Sequence, residues 1–261
     1  MITSEDPARL GRELRCRYTA ADLGVLTSDE ARRFDPDGVG DPQTDLTLAW
    51  ELLYRLEPGL YERLSSGEWL HPGILDWLPR AAHHIVEVGA GAGRLTLELT
   101  DRGQQIVAIE PAAGLRQILQ RRLAHAEHGY RVQVTSGFLD DLPIASAWAD
   151  LVVACSVVTP ALGHGGDTGL AEMERVCRPG GCVAIVWPNN IDWLMARQYR
   201  LRTFAGPMHV EFASHREAVE LARIFYPHAA SEVSRRGDRR VPYEVLGINP
   251  PRDLAFKVMP E

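Results

Sequence analysis

Short apolar runs alternate along the middle of the chain with segments whose apolar residues return every three or four positions. The runs are Ile85–Val88, Gln105–Glu110, Arg131–Thr135, Asp150–Ala154 and Cys182–Trp187, each of strand length and mostly rich in β-branched residues. Between them, Leu95, Leu97 and Leu99 predict a helix reaching about Arg102. Leu115, Ile118, Leu119 and Leu123 predict a helix over Ala113–Ala126, and a third spans Leu170–Cys177 until Arg178-Pro179-Gly180-Gly181 breaks it. Such repetition is an α/β pattern, a parallel sheet with right-handed crossovers. A helix over Ser214–Ile224 and strand-like segments near Val241–Leu246 and Leu254–Met259 complete the pattern.

The N-terminal part reads differently. Met1–Asp41 is rich in charge, with a short helix expected around Pro7–Tyr18 and a loop at Asp35–Pro42. Leu46, Ala49, Leu53 and Leu56 share one helical face behind a cap at Thr44 or Asp45, and Leu60–Leu64 adds a further helical turn. The expected division is a helical cap over 1–78 and an α/β domain over 79–261. Trp50, Tyr54, Tyr61, Trp69 and Trp77 crowd the cap, either lining a substrate pocket or packing the cap against the sheet.

The chain is organised around Ile85–Leu99, IVEVGAGAGRLTLEL. A strand turns through Gly89, Gly91 and Gly93 into a helix N-terminus, where missing Cβ atoms let a ligand approach the amides. Glu110 follows at the end of the next strand, where a carboxylate accepts both hydroxyls of a ribose. A dinucleotide site wants a small third residue in G-x-G-x-x-G, yet Arg94 stands there and the glycines run G-x-G-x-G. Glu87, two residues before the first glycine, would repel a pyrophosphate and suits a cationic ligand.

Composition narrows the partners. The chain has 261 residues, is 45% hydrophobic and carries a formal charge of −7, which argues against a non-specific polyanion binder. Cys16, Cys155, Cys177 and Cys182 lack ligand spacing and read as free thiols of a reducing, cytoplasmic compartment. No apolar run approaches the ~20 residues of a membrane span. The sequence shows no metal cluster, P-loop lysine or Ser-His-Asp spacing.

Glu87, Gly89, Gly91 and Gly93 followed by Glu110 resemble the first motifs of the class I S-adenosylmethionine (SAM)-dependent methyltransferases. The resemblance extends over Leu75–Trp187. Asp141-Leu142-Pro143-Ile144 is similar to the family's D-L-P-hydrophobic turn, Asp150-Leu151-Val152-Val153 to its fourth motif, and Glu174–Gly181 to its helix ending in K/R-P-G-G. Together these resemble the small-molecule branch that includes quinone-biosynthesis methyltransferases. The resemblance implies a Rossmann-like seven-stranded sheet of order 3-2-1-4-5-7-6 with an antiparallel last strand. It also implies S-adenosyl-L-methionine as cofactor and S-adenosyl-L-homocysteine as product, with Glu87 at the methionine end and Glu110 on the ribose. Further cofactor contacts are implied at Ala90, Pro111, Phe138, Leu139 and Cys155. Arg94 either reaches the methionine carboxylate or caps backbone.

Two departures stand out. Phe138 replaces an acid that often meets adenine, so stacking on Phe138 and the backbone of Leu139 take over that role. Thr159-Pro160 replaces a common His-His pair, leaving His164 as the nearest candidate base. The resulting expectation is in-line methyl transfer to a small organic acceptor, driven mainly by proximity, by a monomer or homodimer without nucleic-acid or membrane partners. The rivals are an RNA adenine dimethylase-like enzyme, an NAD-dependent oxidoreductase and an inactive SAM-binding module.

Overall fold

The computed structural model describes Leu14 and residues 17–34, 42–161 and 165–261, with backbone alone for 42–45. Contacts divide the chain into two compact units, one formed by 70–205 with 251–261 and the other by 1–69 with 206–250.

The first unit holds β1 (Ala82–Val88), β2 (Gly103–Ile109), β3 (Val132–Thr135), β4 (Ala149–Cys155), β5 (Cys177–Val186), β6 (Arg200–Thr203) and β9 (Asp253–Val258) in one sheet. Its order is β3-β2-β1-β4-β5-β9-β6, with β9 antiparallel to both neighbours and the other pairs parallel. This is the expected Rossmann-like order, with β9 as seventh strand. The strands β1, β2 and β4 bury both faces from their midpoints onward, as strands covered by helices on both sides must. The helices Ala113–Leu123 and Gly166–Val176 bury Leu115, Ile118, Leu119 and Leu123, and Leu170, Met173 and Val176.

Local departures from the sequence pattern have identifiable causes. The helix behind the glycines is one turn, Thr96–Leu99, rather than reaching Arg102. Glu98 N and Arg102 N donate three residues back, to Leu95 O and Leu99 O. Thr100 Oγ1 donates to Leu97 O, and Arg102 Nε to Glu98 O, so side chains take carbonyls a longer helix would use. The Arg178–Gly181 breaker lies inside β5 as a bulge, because pairing jumps from Ala149–Cys177 to Leu151–Cys182. The expected strand over Val241–Leu246 is instead β8 (Arg240–Pro242) followed by a helical turn, Tyr243–Leu246. Pro242 has no N–H with which to extend the ladder.

In the second unit, Pro42–Leu56 and Pro58–Ser65 are helical. β8 pairs with β7 (His209–Glu211). Trp50 stacks on Phe225 at 5.7 Å, and Tyr54 meets Tyr61 edge-on at 4.8 Å. Arg63 pairs with Glu217 and Glu220 of the helix His215–Phe225. These contacts tie 206–250 to the N-terminal helices, whereas the sequence pattern divided the chain once, at 78. Trp77 packs on Phe256 in the sheet unit, and Trp69 is exposed. The helix expected at Pro7–Tyr18 lies almost wholly outside the described residues. Among the described residues, no helix is long and apolar enough to cross a membrane.

Candidate active site

Parallel registers Val88–Ile109 and Val88–Ala154 bring the carboxyl ends of β2, β1 and β4 side by side, with β3 next to β2. The 89–94 turn leaves β1, Glu110-Pro111 leaves β2, Phe138-Leu139 follows β3, and Cys155 ends β4. The carboxyl edge of such a sheet is where ligands bind α/β proteins.

The turn is built tightly. Gly89 N and Ala90 N both donate to Ile109 O, at 2.8 and 3.0 Å. Gly89, Gly91 and Gly93 have φ of 68°, 56° and 96°, a region costly for residues with a Cβ. A Cβ on Gly89 would lie 2.4 Å from Val157 Cγ2, and one on Gly93 2.6 Å from Leu119 Cδ1. Glu110 locks the turn to β2: its Oε2 accepts from Gly91 N at 2.9 Å and its Oε1 from Ala112 N at 2.8 Å.

Glu87 is 1% exposed. Its Oε2 and the Thr96 Oγ1 are buried without a hydrogen-bond partner among the described residues. Burial raises the Glu87 carboxyl from an ordinary 4.5 to about 8; the Arg94 charge opposes the rise, and Glu110 adds to it. A buried carboxyl with an open acceptor oxygen fits a ligand bringing a positive N–H donor.

The Arg94 guanidinium lies over the Trp187 ring at 5.0 Å, with Nη2 3.5 Å from Cys155 Sγ. Cys155 ends β4 and Trp187 follows β5, so Arg94 reaches across the strand ends. Ser156 and Trp187 hold φ of 57° and 52°, strained values that cluster at functional edges. Leu139 is buried, and a Cβ on Gly169 would come within 2.6 Å of it. Its side chain therefore belongs to the packing and its backbone remains the part available to a ligand. Phe138 is half-buried and bridges to Asp141. His164 lies outside the described residues. No group of His, Cys, Asp or Glu among the described residues suits a metal ion.

The hydrophobic pattern missed three contributors. Arg116 Nη1 donates to Glu110 O and Pro111 O at 2.7 and 2.6 Å, and Arg122 Nη1 to Ala92 O at 2.8 Å. Both project from the helix after β2, on positions the leucine periodicity leaves polar. Trp187 carries a positional signal, since it is the first residue past β5 on the same edge.

Residues 85–181 match the family model described as methyltransferase domain. This stretch, which holds the glycine turn and both acids, is thus similar to a methyltransferase domain. An uncharacterized methyltransferase of Mycobacterium tuberculosis is 31% identical over 133 residues, covering 49% of this chain and 49% of that protein. A trans-aconitate 2-methyltransferase of Acidovorax is 28% identical over 142 residues, covering 52% and 51%. The chain thus spans about half the length of these curated relatives. Among solved structures, the [4+2]-cyclase SpnF aligns with a TM-score of 0.52 at 16% identity, covering 80% of this chain and 94% of that one. That likeness concerns the fold alone, and a shared fold does not fix chemistry.

Proposed function

We propose that the domain binds S-adenosyl-L-methionine and catalyses methyl transfer to a small organic acceptor, leaving S-adenosyl-L-homocysteine. Glu87 carries the reading: a buried carboxyl with an open oxygen on β1, two residues before the glycine turn that leaves the strand. Its chemistry fits the ammonium of a methionine moiety. Glu110 accepts the ribose hydroxyls in this reading, as a carboxylate at the end of the second strand can. Ala90, Pro111, Phe138 and the Leu139 backbone flank the adenosine, and Cys155 borders the sulfur end. Arg94 meets the methionine carboxylate.

The bound cofactor supplies an activated methyl group on a positive sulfur. This chain holds the acceptor in line with that methyl, about 3–3.5 Å away, and such placement supplies much of the acceleration. Where the acceptor must lose a proton, His164 is the base we assign. The sequence resemblance to the small-molecule branch that includes quinone-biosynthesis enzymes favours a small acceptor, and the relative named for trans-aconitate supports a small acid. The net charge of −7 favours a small molecule over RNA.

Calorimetric titration with the cofactor and its demethylated product tests the reading. Sub-millimolar binding of both is expected, followed by turnover on a panel of phenols, amines, quinols and carboxylic acids. Absence of binding removes the proposal, and stabilisation by NAD instead would replace it with an oxidoreductase. Binding without turnover on any acceptor would support a SAM-binding module, the rival that the Thr159-Pro160 departure leaves open.

A further inference from the structure

The amino edge of the same sheet, opposite the glycine turn, carries a cavity of about 370 Å³, within the size range of small-ligand pockets. Arg80, Asp101, Arg102, Gln104, Tyr130 and Arg131 line it. Three arginines and one aspartate are thus among its lining residues. Arg102 is 7% exposed, and its Nη1 and Nε donate to the neutral carbonyls of Leu75, Leu78 and Glu98. Its carboxylate neighbour, Asp101, stands 3.8 Å away and largely in solvent. The buried charge is therefore weakly compensated.

Tyr130 and Arg131 form one wall, on the tight turn Gly129–Arg131. A Cβ on Gly129 would sit 2.0 Å from Leu123 O, so the turn is pressed onto the preceding helix. The Tyr130 ring is nonetheless 79% exposed, held edge-on by His128 at 6.2 Å and covered by the Arg131 guanidinium at 5.7 Å. Arg131 has no carboxylate partner among the described residues. Arg80 pairs with Asp76 at the rim. An exposed ring beside guanidiniums is a recognition surface for an aromatic group that carries a negative charge.

We propose that this cavity binds a small anion carrying an aromatic ring, an aryl phosphate or aryl carboxylate. The ring stacks on Tyr130 and the anionic group meets Arg131 and Arg80 over the field of Arg102. The site is separate from the carboxyl edge and does not depend on the reaction proposed there.

Titration of the whole chain with phenyl phosphate, benzoate and inorganic phosphate tests it, read by calorimetry and by ring-proton line broadening. Phenyl phosphate or benzoate should bind with a dissociation constant of about 1 mM or tighter, at least about tenfold better than inorganic phosphate. The tighter of the two identifies the anionic group. Tyr130→Ala, at an exposed position, should weaken binding about fivefold or more with unchanged melting temperature, and Arg131→Ala, at a half-buried one, should weaken binding by a similar factor. No binding at about 10 mM, equal binding of inorganic phosphate, or indifference to both substitutions would overturn the proposal.

Discussion

Glu110 Oε2 accepts a hydrogen bond from the Gly91 amide at 2.9 Å, joining two stretches nineteen residues apart in sequence. The carboxylate proposed to hold the ribose therefore also shapes the turn. Removing it strands the Gly91 and Ala112 amides in a site where Glu110 is 5% exposed. Glu110→Ala is expected to destabilise the protein by about 2–4 kcal/mol, and Glu110→Gln, which keeps one acceptor, by about 1–2 kcal/mol. Both should weaken cofactor binding at least about tenfold. Denaturant unfolding and calorimetry on the same preparations separate the two effects.

Glu87 makes the ligand-free protein sensitive to pH. Its folded value of about 8 lies above its ordinary 4.5, so between those values the native state holds a proton the unfolded chain has released. Stability is full below about 4.5 and is lost as pH rises through 8, by at most about 1.4 kcal/mol per pH unit. Glu87→Gln should remove this slope and leave the empty protein more stable at alkaline pH. A cation beside Glu87 favours the ionised form, so cofactor binding should release a proton and tighten as pH rises toward 8. Titration in buffers of different ionisation enthalpy counts that proton; release retained by Glu87→Gln would place it elsewhere.

The sheet was legible because its central strands are apolar on both faces, a signal that survives without side-chain partners. β6 was not, since all four of its residues are exposed and read Arg-Leu-Arg-Thr. The grouping of 206–250 with the N-terminal helices was equally hidden. Contacts such as Trp50–Phe225 and Arg63–Glu217 join residues more than 150 positions apart, and no local periodicity encodes them. At the site, the glycines and both acids stood out in sequence. Their environment did not: the stranded oxygen of Glu87 and the caps from Arg116 and Arg122 depend on how side chains from other elements arrive.

Gly93 tests how closely the turn is fitted. Its φ is 96°, and a Cβ added there would lie only 2.6 Å from Leu119 Cδ1, which leaves no room for a methyl group. Gly93→Ala should cost about 2–4 kcal/mol from backbone strain and overpacking, and lower cofactor affinity with it. Gly93→Ala combined with Leu119→Ala relieves the clash but not the strained φ. The double variant should recover cofactor affinity in part, relative to Gly93→Ala alone. Thermal melts and titrations of the two variants decide between sterics and backbone conformation.

Arg94 distinguishes the two roles open to it from sequence. Its guanidinium rests on Trp187 and reaches Cys155 at the end of β4, which directs it along the strand ends where the methionine tail is expected. Arg94→Met keeps the length and the contact with the indole while removing the charge. It should therefore weaken binding of S-adenosyl-L-homocysteine at least about tenfold, yet leave 5′-methylthioadenosine, which lacks the amino-acid tail, nearly unaffected. An equal loss for both ligands would mean that Arg94 supports the turn rather than the carboxylate. Trp187→Leu offers the complementary measurement, since the cation–ring contact is worth about 0.5–2 kcal/mol. Its loss should loosen Arg94 and weaken the homocysteine compound alone by a smaller factor than Arg94→Met does.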